Sequence, residues 1–331
     1  MGFGSCRFDS CPGHSSIYYL LFSIYDLPKA VSYGKMSLGI FPLERNKIMS
    51  EKIENSATLQ EQLREFRTTH PVKNIASQNH RWNYICCGQG DRVLLLLEGA
   101  GAAGEVEFQR ILKFEKSRRI ISVTYPATAV TMQDLVTGIA AILETENVRK
   151  AAVHGHSLGG ALAQCFLRAH PEMVSESILA NIGVASRRRI RLARIFGYVL
   201  SVLPSALIGT MVKSALGRNL SALPEPEREF YREYFAEMVK RYLTKELIIN
   251  QLRCMFDFID NYHFRVEDLK FWGGRVLILE AEDDRGWNAS ERAALKELYP
   301  QANVHTFNQG GHLVGMTKRA EYDEVLSNFL D

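Results

Sequence analysis

The feature that most constrains the fold is an alternation between short, continuously apolar runs and longer segments with helical periodicity. The first run, Val93–Leu97, has no polar face, which is typical of a strand covered on both sides. The same reasoning predicts further strands at residues 120–123, 151–154, 177–179, 275–279 and 303–307. Strands that alternate with helices indicate an α/β protein with a mostly parallel, doubly wound sheet.

One interval breaks this alternation. About ninety residues separate the strands at 177–179 and 275–279, and they contain only helix-like sequence. Because this is too long for a bare loop, we predict an inserted helical lid over residues 181–270. Such an insertion would sit over the carboxyl ends of the strands, where α/β sheets bind ligands. The α/β core is then predicted at 70–180 and 271–331, and it opens with a β-hairpin formed by residues 70–77 and 81–87.

The segment before the core differs in composition. Residues 1–48 mix Gly, Cys, Ser and Pro with one apolar run at 17–25, which is too short to span a bilayer. We therefore predict that residues 1–69 form an N-terminal extension, poorly ordered in part, and that the first 48 residues are dispensable because the sequence after Met49 resembles an ordinary N-terminus. A signal-peptide core or a membrane anchor at 17–25 is the alternative.

Composition excludes several classes of protein. The 331 residues are 46% hydrophobic and 23% charged, which is ordinary for a globular chain. The net charge of +3 is too small to predict a nucleic-acid partner. The six cysteines lie in positions that favour reduced, buried thiols over a disulfide framework. These features predict a cytoplasmic protein, with membrane association as the alternative.

A candidate nucleophile lies directly after the strand at 151–154. The sequence Gly155-His156-Ser157-Leu158-Gly159 matches the pattern Gly-x-Ser-x-Gly, in which small residues allow a sharp turn from strand to helix that exposes the serine. A serine hydroxyl needs a nearby base that is itself oriented by an acid. The sequence therefore has to supply both partners if Ser157 is catalytic.

Candidate partners follow two later strands. Asp283 and Asp284 lie beyond the strand at 275–279, and His312 lies beyond the strand at 303–307. Each residue would sit in a loop at the carboxyl end of a different strand, in the chain order Ser, Asp, His. The oxyanion of an acyl-transfer reaction needs preorganised backbone N–H donors, and we predict Leu158, after the serine, and Ala100, in the glycine-rich loop after Val93–Leu97, for this role.

From residue 70 onward the chain resembles the α/β-hydrolase superfamily. The motifs that carry the resemblance are Gly-His-Ser-Leu-Gly-Gly at 155–160 and Gly-Gly-His at 310–312. In related sequences the acid occupies the fourth position of a Gly-x-x-Asp turn, which favours Asp284 over Asp283 as the triad acid. Many relatives have His where this chain has Glu98, so the shape of the oxyanion loop is expected to differ here.

Within the superfamily the pattern is most similar to a maspardin-like branch. The shared features are found at residues 108–111, 125–126, 158–164 and 298–300. Maspardin itself is regarded as an interaction protein and lacks the triad histidine, whereas this chain has His312. The resemblance therefore implies either a serine hydrolase of the carboxylesterase or lipase kind, acting on a small acyl substrate, or a non-catalytic interaction module on the same scaffold.

Other candidate sites are weaker. The His154-x-His156 pair lacks a third ligand, so no metal is predicted. The glycines at 99, 101 and 104 mimic a dinucleotide fingerprint, but the expected acid twenty residues later is absent, so no cofactor is predicted. The basic run at 187–194, followed by an apolar stretch at 195–208, predicts at most weak contact with membrane or lipid through the lid, and a protein partner stays possible.

Overall fold

The computed structural model describes residues 58–331, apart from the side chains of residues 187–189. The predictions for residues 1–57, including the apolar run at 17–25 and the start at Met49, lie outside the described residues. The described chain begins in a helix, α1, at 58–69.

One eight-stranded sheet organises the structure. Its strands are β1 (Lys73–Ser77), β2 (His80–Cys87), β3 (Val93–Leu97), β4 (Arg119–Thr124), β5 (Ala151–His156), β6 (Val174–Ala180), β7 (Arg275–Ala281) and β8 (Asn303–Phe307). They lie in the order β1-β2-β4-β3-β5-β6-β7-β8. The strand β2 pairs antiparallel with β1 and β4, and every other pairing is parallel. The predicted mostly parallel sheet is confirmed, with the predicted hairpin at its edge.

Helices connect the parallel strands. The α-helices after α1 are α2 (Phe108–Phe114), α3 (Met132–Thr145), α4 (Leu158–Ala169), α5 (Arg187–Val202), α6 (Ser205–Asn219), α7 (Glu225–Arg241), α8 (Lys245–Asn261), α9 (Ala289–Leu298), α10 (Val314–Thr317) and α11 (Arg319–Leu330). Side-chain caps fix several of their starts. For example, Thr131 accepts a hydrogen bond from the Asp134 N–H, and the Asp134 carboxylate accepts one in return from the Thr131 N–H, which forms a capping box at the start of α3.

The strand β3 shows why its sequence has no polar face. Leu95 and Leu97 pack into the apolar cluster that contains α3 and α4, whereas Leu94 and Leu96 pack into the cluster on the opposite face, with α2 and α11. All four side chains are fully buried. Because successive side chains of a strand point to opposite faces, a strand covered by helices on both sides needs apolar residues at every position.

Four helices, α5 to α8, fill the interval between β6 and β7. They share an apolar cluster of their own, formed by Phe196, Leu200, Ile208, Met211, Val212 and Ile248. The division of the chain into an extension, a core and a lid stays a prediction. Within residues 58–331, no helix is both long and apolar enough to cross a bilayer.

Four of the six cysteines fall in the described residues. Cys86, Cys87, Cys165 and Cys254 are all free thiols, in agreement with the reduced state that the sequence predicts. Burial raises the pKa of Cys254 to about 12, so this thiol stays protonated and behaves as a small apolar side chain.

The contact between Gly138 and Trp82 generates a stability prediction. A Cβ at Gly138, in α3, would lie 1.8 Å from Cζ2 of the buried Trp82 ring. We expect Gly138→Ala to lower the free energy of unfolding by about 1–3 kcal/mol, measured by urea denaturation, because the ring must move within a packed core. The matched control is Gly217→Ala in α6, where no atom lies within 4 Å of the added Cβ. This control should instead raise the free energy of unfolding by about 0.5–1 kcal/mol; equal stability of the two variants would contradict the prediction.

Candidate active site

The turn between β5 and α4 holds Ser157 in an unusual backbone conformation. Its φ and ψ angles are 53° and −113°, although residues other than glycine rarely adopt positive φ. Such strain persists only where the surrounding structure enforces it, and it is concentrated at functional sites. Here the sharp turn between β5 and α4 exposes the serine side chain, as the Gly-x-Ser-x-Gly motif predicts.

The two glycines of the motif are required by steric contacts. A Cβ at Gly155 would lie 2.2 Å from the carbonyl oxygen of Gly159, and a Cβ at Gly159 would lie 1.9 Å from the carbonyl oxygen of Leu97. Both distances are far below van der Waals contact. The tight turn therefore depends on the absence of side chains at positions 155 and 159.

The structure brings Ser157, His312 and Asp284 into one hydrogen-bonded chain. His312 Nε2 lies 3.0 Å from Ser157 Oγ. On the other side of the ring, His312 Nδ1 lies 3.0 Å and 3.1 Å from the two carboxylate oxygens of Asp284. The distances fit an Nδ1–H that donates to the carboxylate and an Nε2 lone pair that accepts from the serine hydroxyl, which is the arrangement of a nucleophile, a base and an orienting acid.

Asp284 is held as a buried carboxylate. Burial raises the pKa of this carboxyl, but the charge of His312 and hydrogen bonds from His312, Asn181 and Gly286 outweigh that effect, so the pKa lies below its usual value. The amide Nδ2 of Asn181 donates to Asp284 Oδ2 at 2.9 Å. Sequence reasoning missed Asn181, whose only signal was its position directly after the strand next to β5.

Asp283 occupies a different environment. Its side chain is exposed, and Asp283 Oδ1 accepts a hydrogen bond of 2.8 Å from the N–H of Gly311. Asp283 therefore contacts the backbone of the loop before His312, whereas Asp284 contacts the imidazole itself.

The two predicted oxyanion donors border Ser157. Leu158 is the first residue of α4, so its N–H has no acceptor within the helix. Ala100 lies in the loop after β3, and the neighbouring Gly99 is so close that a Cβ there would lie 3.5 Å from Ser157 Cβ. Gln251 of α8 accepts a 2.7 Å hydrogen bond from the N–H of Gly101, which fixes the loop from the side of the inserted helices.

The two histidines that precede Ser157 have other partners. His156 Nε2 donates a 2.8 Å hydrogen bond to the carbonyl oxygen of His312, and burial together with the charge of His312 lowers the pKa of His156 to about 4. His154 Nε2 lies 2.6 Å from the hydroxyl of Tyr322. Burial lowers the pKa of His154 as well, so both rings are neutral at pH 7.

Ser157 and His312 open into a cavity of about 180 Å³. The sheet side contributes the loop after β3 and the turn at Ser157, and Trp287 lies at its wall. The inserted helices contribute a mostly apolar lining, which includes Val212, Ala215, Leu216, Phe235, Met238, Val239, Leu243, Ile248, Leu252 and Met255. A mostly apolar cavity with a few convergent polar groups is typical of a small-molecule site.

Charged side chains also line the cavity. The buried guanidinium of Arg110 lies 2.6 Å from Glu107 Oε2 and 2.7 Å from Asp323 Oδ1, and it donates a 2.8 Å hydrogen bond to the carbonyl oxygen of Gly315. The carboxyl of Glu98 is also buried, and burial together with the charge of Glu107 raises its pKa well above the usual value. Burial therefore favours the uncharged form of Glu98, and the charge of Arg110 is balanced by Glu107 and Asp323.

Within the described part of the chain, one group of three side chains has metal-ligand chemistry. Ligand atoms of His70, Cys87 and Glu115 lie within 4.8 Å of one another. His70 Nε2 lies 2.8 Å from Glu115 Oε2, and burial with a hydrogen bond to Glu115 keeps the Cys87 thiol protonated by raising its pKa. The three side chains thus satisfy one another without a metal ion, and they do not line the cavity at Ser157.

Comparisons with known proteins identify the family of the chain. Residues 89–325 match the model of the Alpha/beta hydrolase family. The chain is 22% identical over 287 residues to a 2-hydroxy-6-oxononadienedioate/2-hydroxy-6-oxononatrienedioate hydrolase of Burkholderia vietnamiensis (strain G4 / LMG 22486), which covers 76% of this chain and 91% of that protein.

Solved structures show the same fold. A meta-cleavage product hydrolase from Pseudomonas fluorescens IP01 superimposes with a TM-score of 0.61 at 19% identity, over 78% of this chain and 96% of that chain. An esterase from Exiguobacterium antarcticum superimposes with a TM-score of 0.65 at 16% identity, over 78% and 98%. These relatives support the superfamily and not the maspardin-like branch in particular. The family model matches more than two thirds of the length of this chain, and the chain therefore belongs to the alpha/beta hydrolase family.

Proposed function

We propose that this protein is a serine hydrolase that cleaves an ester, or a related acyl bond, through an acyl-enzyme on Ser157. The observation that carries the proposal is the hydrogen-bonded chain from Ser157 through His312 to Asp284, at the opening of an apolar cavity. The reaction needs only these side chains, backbone N–H donors and water, so we propose no metal or cofactor.

In the proposed mechanism, Ser157 Oγ attacks the carbonyl carbon of the substrate while its proton passes to His312 Nε2. The N–H groups of Leu158 and Ala100 stabilise the resulting oxyanion. The intermediate then expels the alcohol, which takes the proton from His312, and leaves an acyl ester on Ser157. A water molecule then attacks this ester while its proton passes to His312. Ser157 Oγ leaves, takes the proton back from His312, and the acid is released. Asp284 stays ionised and stabilises the imidazolium in both steps.

The charges around the cavity favour an uncharged acyl group. Among the described residues that line it, Arg110 is the only arginine and no lysine occurs, and Arg110 is bound by Glu107 and Asp323. A substrate carboxylate would therefore find no free cation there and would lie close to the Glu107 carboxylate. Burying such an unpaired charge is costly, whereas an alkyl chain would gain from contact with the inserted helices.

Hydrolysis of a carbon–carbon bond is the second candidate, because curated relatives are hydrolases of this kind. The same triad suits both reactions. The relative described above acts on a dioate, and the neutralised state of Arg110 disfavours a doubly charged substrate here. We therefore rank ester hydrolysis first.

A non-catalytic interaction module, which the maspardin-like resemblance implies, is the less favoured reading. The triad distances and the strained Ser157 support catalysis, since strain of this kind has no evident use in a module that only binds. We propose that α5 to α8 act as a lid over the cavity, because residues of α6, α7 and α8 line it.

The first prediction concerns the nucleophile. A fluorophosphonate probe should label the purified protein, and Ser157→Ala should abolish labelling, because the probe reacts only with an activated serine. The matched control is Ser214→Ala, at an exposed serine of α6 that should leave labelling unchanged. Absence of labelling in the parent protein, or equal labelling of the Ser157→Ala variant, would overturn the enzyme proposal.

The second prediction separates the two aspartates. Asp284→Asn should lower kcat for a p-nitrophenyl ester by about a thousandfold or more, because an amide cannot accept the Nδ1–H bond as a carboxylate does and favours the wrong tautomer of His312. Asp283→Asn should lower it less than about fivefold, since the amide oxygen still accepts from the Gly311 N–H. The opposite ranking would reassign the acid to Asp283.

The third prediction concerns substrate charge. Among p-nitrophenyl esters of rising chain length, kcat/KM should increase until the acyl chain fills the cavity. An ester of matched length that ends in a carboxylate should be at least about tenfold poorer, because it buries an unpaired charge. If the charged ester, or a 2-hydroxy-6-oxo dienedioate, is instead the better substrate, carbon–carbon bond hydrolysis becomes the preferred function.

A further inference from the structure

The helix α5 carries apolar side chains on two opposite faces. Phe196 and Leu200 are buried in the cluster that joins α5 to α6 and α8. On the opposite face, four large apolar side chains are exposed: Ile195 (64%), Tyr198 (74%), Val199 (41%) and Val202 (66%). Their spacing of i, i+3, i+4 and i+7 aligns them in one stripe along the helix, which we call the α5 stripe.

Another exposed apolar side chain follows the α5 stripe closely in sequence. Leu207, in the first turn of α6, is 47% exposed and follows the stripe after a short connection at 203–204. Scattered single apolar residues are normal on a surface, but a contiguous row of this kind marks an interaction site. The cost of exposing it to water is recovered only when another surface covers it.

The segment of the chain that carries the stripe is rich in basic residues. Residues 177–224 contain seven basic side chains and no aspartate or glutamate. Five of the seven are arginines at 187, 188, 189, 191 and 194, at the N-terminal end of α5. Arg191 and Arg194 are exposed at the start of the stripe, and Arg194 pairs with Asp260 of α8. The segment therefore keeps an excess of positive charge beside its exposed apolar row.

We propose that the α5 stripe docks on an anionic lipid surface. A helix with an exposed apolar row, an aromatic side chain and flanking arginines is the type that lies in the plane of a membrane interface, with its apolar face among the acyl chains. Basic side chains next to it are attracted to anionic headgroups. A second copy of this chain fits less well, because a symmetric contact through α5 would bring two acid-free, arginine-rich segments together.

Docking through α5 would place the cavity next to the lipid. The buried side chains of α5 belong to the same apolar cluster as Val212 of α6, and Val212 also lines the cavity at Ser157. A neutral acyl lipid would then be held on the side of the helices that line the cavity. This consequence rests on the proposed function, whereas the docking itself does not require catalysis.

The test is co-sedimentation of the full chain with vesicles. Vesicles of phosphatidylcholine with about 30% phosphatidylserine should bind the protein, and vesicles of phosphatidylcholine alone should bind it at least about tenfold more weakly. Binding to the anionic vesicles should weaken as salt is raised, since exposed charges are screened. Failure of the parent protein to sediment with anionic vesicles would overturn the proposal.

Variants assign the binding to the α5 stripe. Ile195→Asp with Val202→Asp should weaken binding to anionic vesicles by about tenfold or more, because two charged side chains replace apolar ones at the interface. The matched control, Val266→Asp with Phe271→Asp, makes the same change at two other exposed apolar positions and should bind as the parent does. Thermal melts establish that both double variants are folded.

Two results would reassign the surface. Unchanged lipid binding in the α5 double variant would place the lipid contact elsewhere in the chain. If light scattering without lipid shows a dimer of the parent protein, and the α5 double variant is a monomer, the stripe is assigned to contact with a second copy.

Hydrolysis of a soluble short-chain p-nitrophenyl ester is measured on the same samples and should be equal in the parent and the α5 double variant. Absence of esterase activity in the parent protein would count against the proposed function and would not affect the docking result.

Discussion

The close approach of backbone segments at the turn after β5 is the constraint on which the candidate site depends. Gly155 and Gly159 allow the turn to pass against the end of β3, and Ser157 takes a positive φ as a result. The same approach places the glycine-rich loop after β3 beside the serine. One steric arrangement therefore exposes Ser157, the proposed nucleophile, and places beside it the loop that holds Ala100, one of the two proposed oxyanion donors.

The buried ion pairs of Arg110 support the other side of the site. Arg110 of α2 binds Asp323 of α11 and the carbonyl oxygen of Gly315, three residues after His312. A buried ion pair is weak evidence for added stability, because desolvation offsets much of the attraction. Its effect here is geometric: it fixes the segment after His312 against α2, and Asp283 and Asp284 fix the segment before it and the ring itself. His312, the proposed base, is thus held from both directions.

As a group, the helices α5 to α8 have one side that faces the cavity and another side that faces solvent. Their inner side supplies most of the apolar lining of the cavity, and the outer side of α5 exposes an apolar row with arginines at its start. Sequence periodicity does not show which apolar row of α5 is covered, because both rows recur at helical spacing. Only the packing of Phe196 and Leu200 shows which face is covered and which is left to another surface.

Local sequence determined much of the architecture. The apolar run of β3, the hairpin at the edge of the sheet and the Gly-x-Ser-x-Gly turn follow from short-range sterics and from burial on both faces of a sheet. They can therefore be predicted without a structure. Chain order likewise predicts Ser157, His312 and one of two adjacent aspartates at the same edge. The sequence did not decide between Asp283 and Asp284 on residue pattern alone, since adjacent side chains point in different directions only once the loop is folded. The contacts of Asn181, of Gln251 and of Arg110 with Asp323 could not be predicted either, because the two partners of each contact are about a hundred residues or more apart in the chain. Contacts at that range depend on how whole elements pack, and tertiary structure alone decides them.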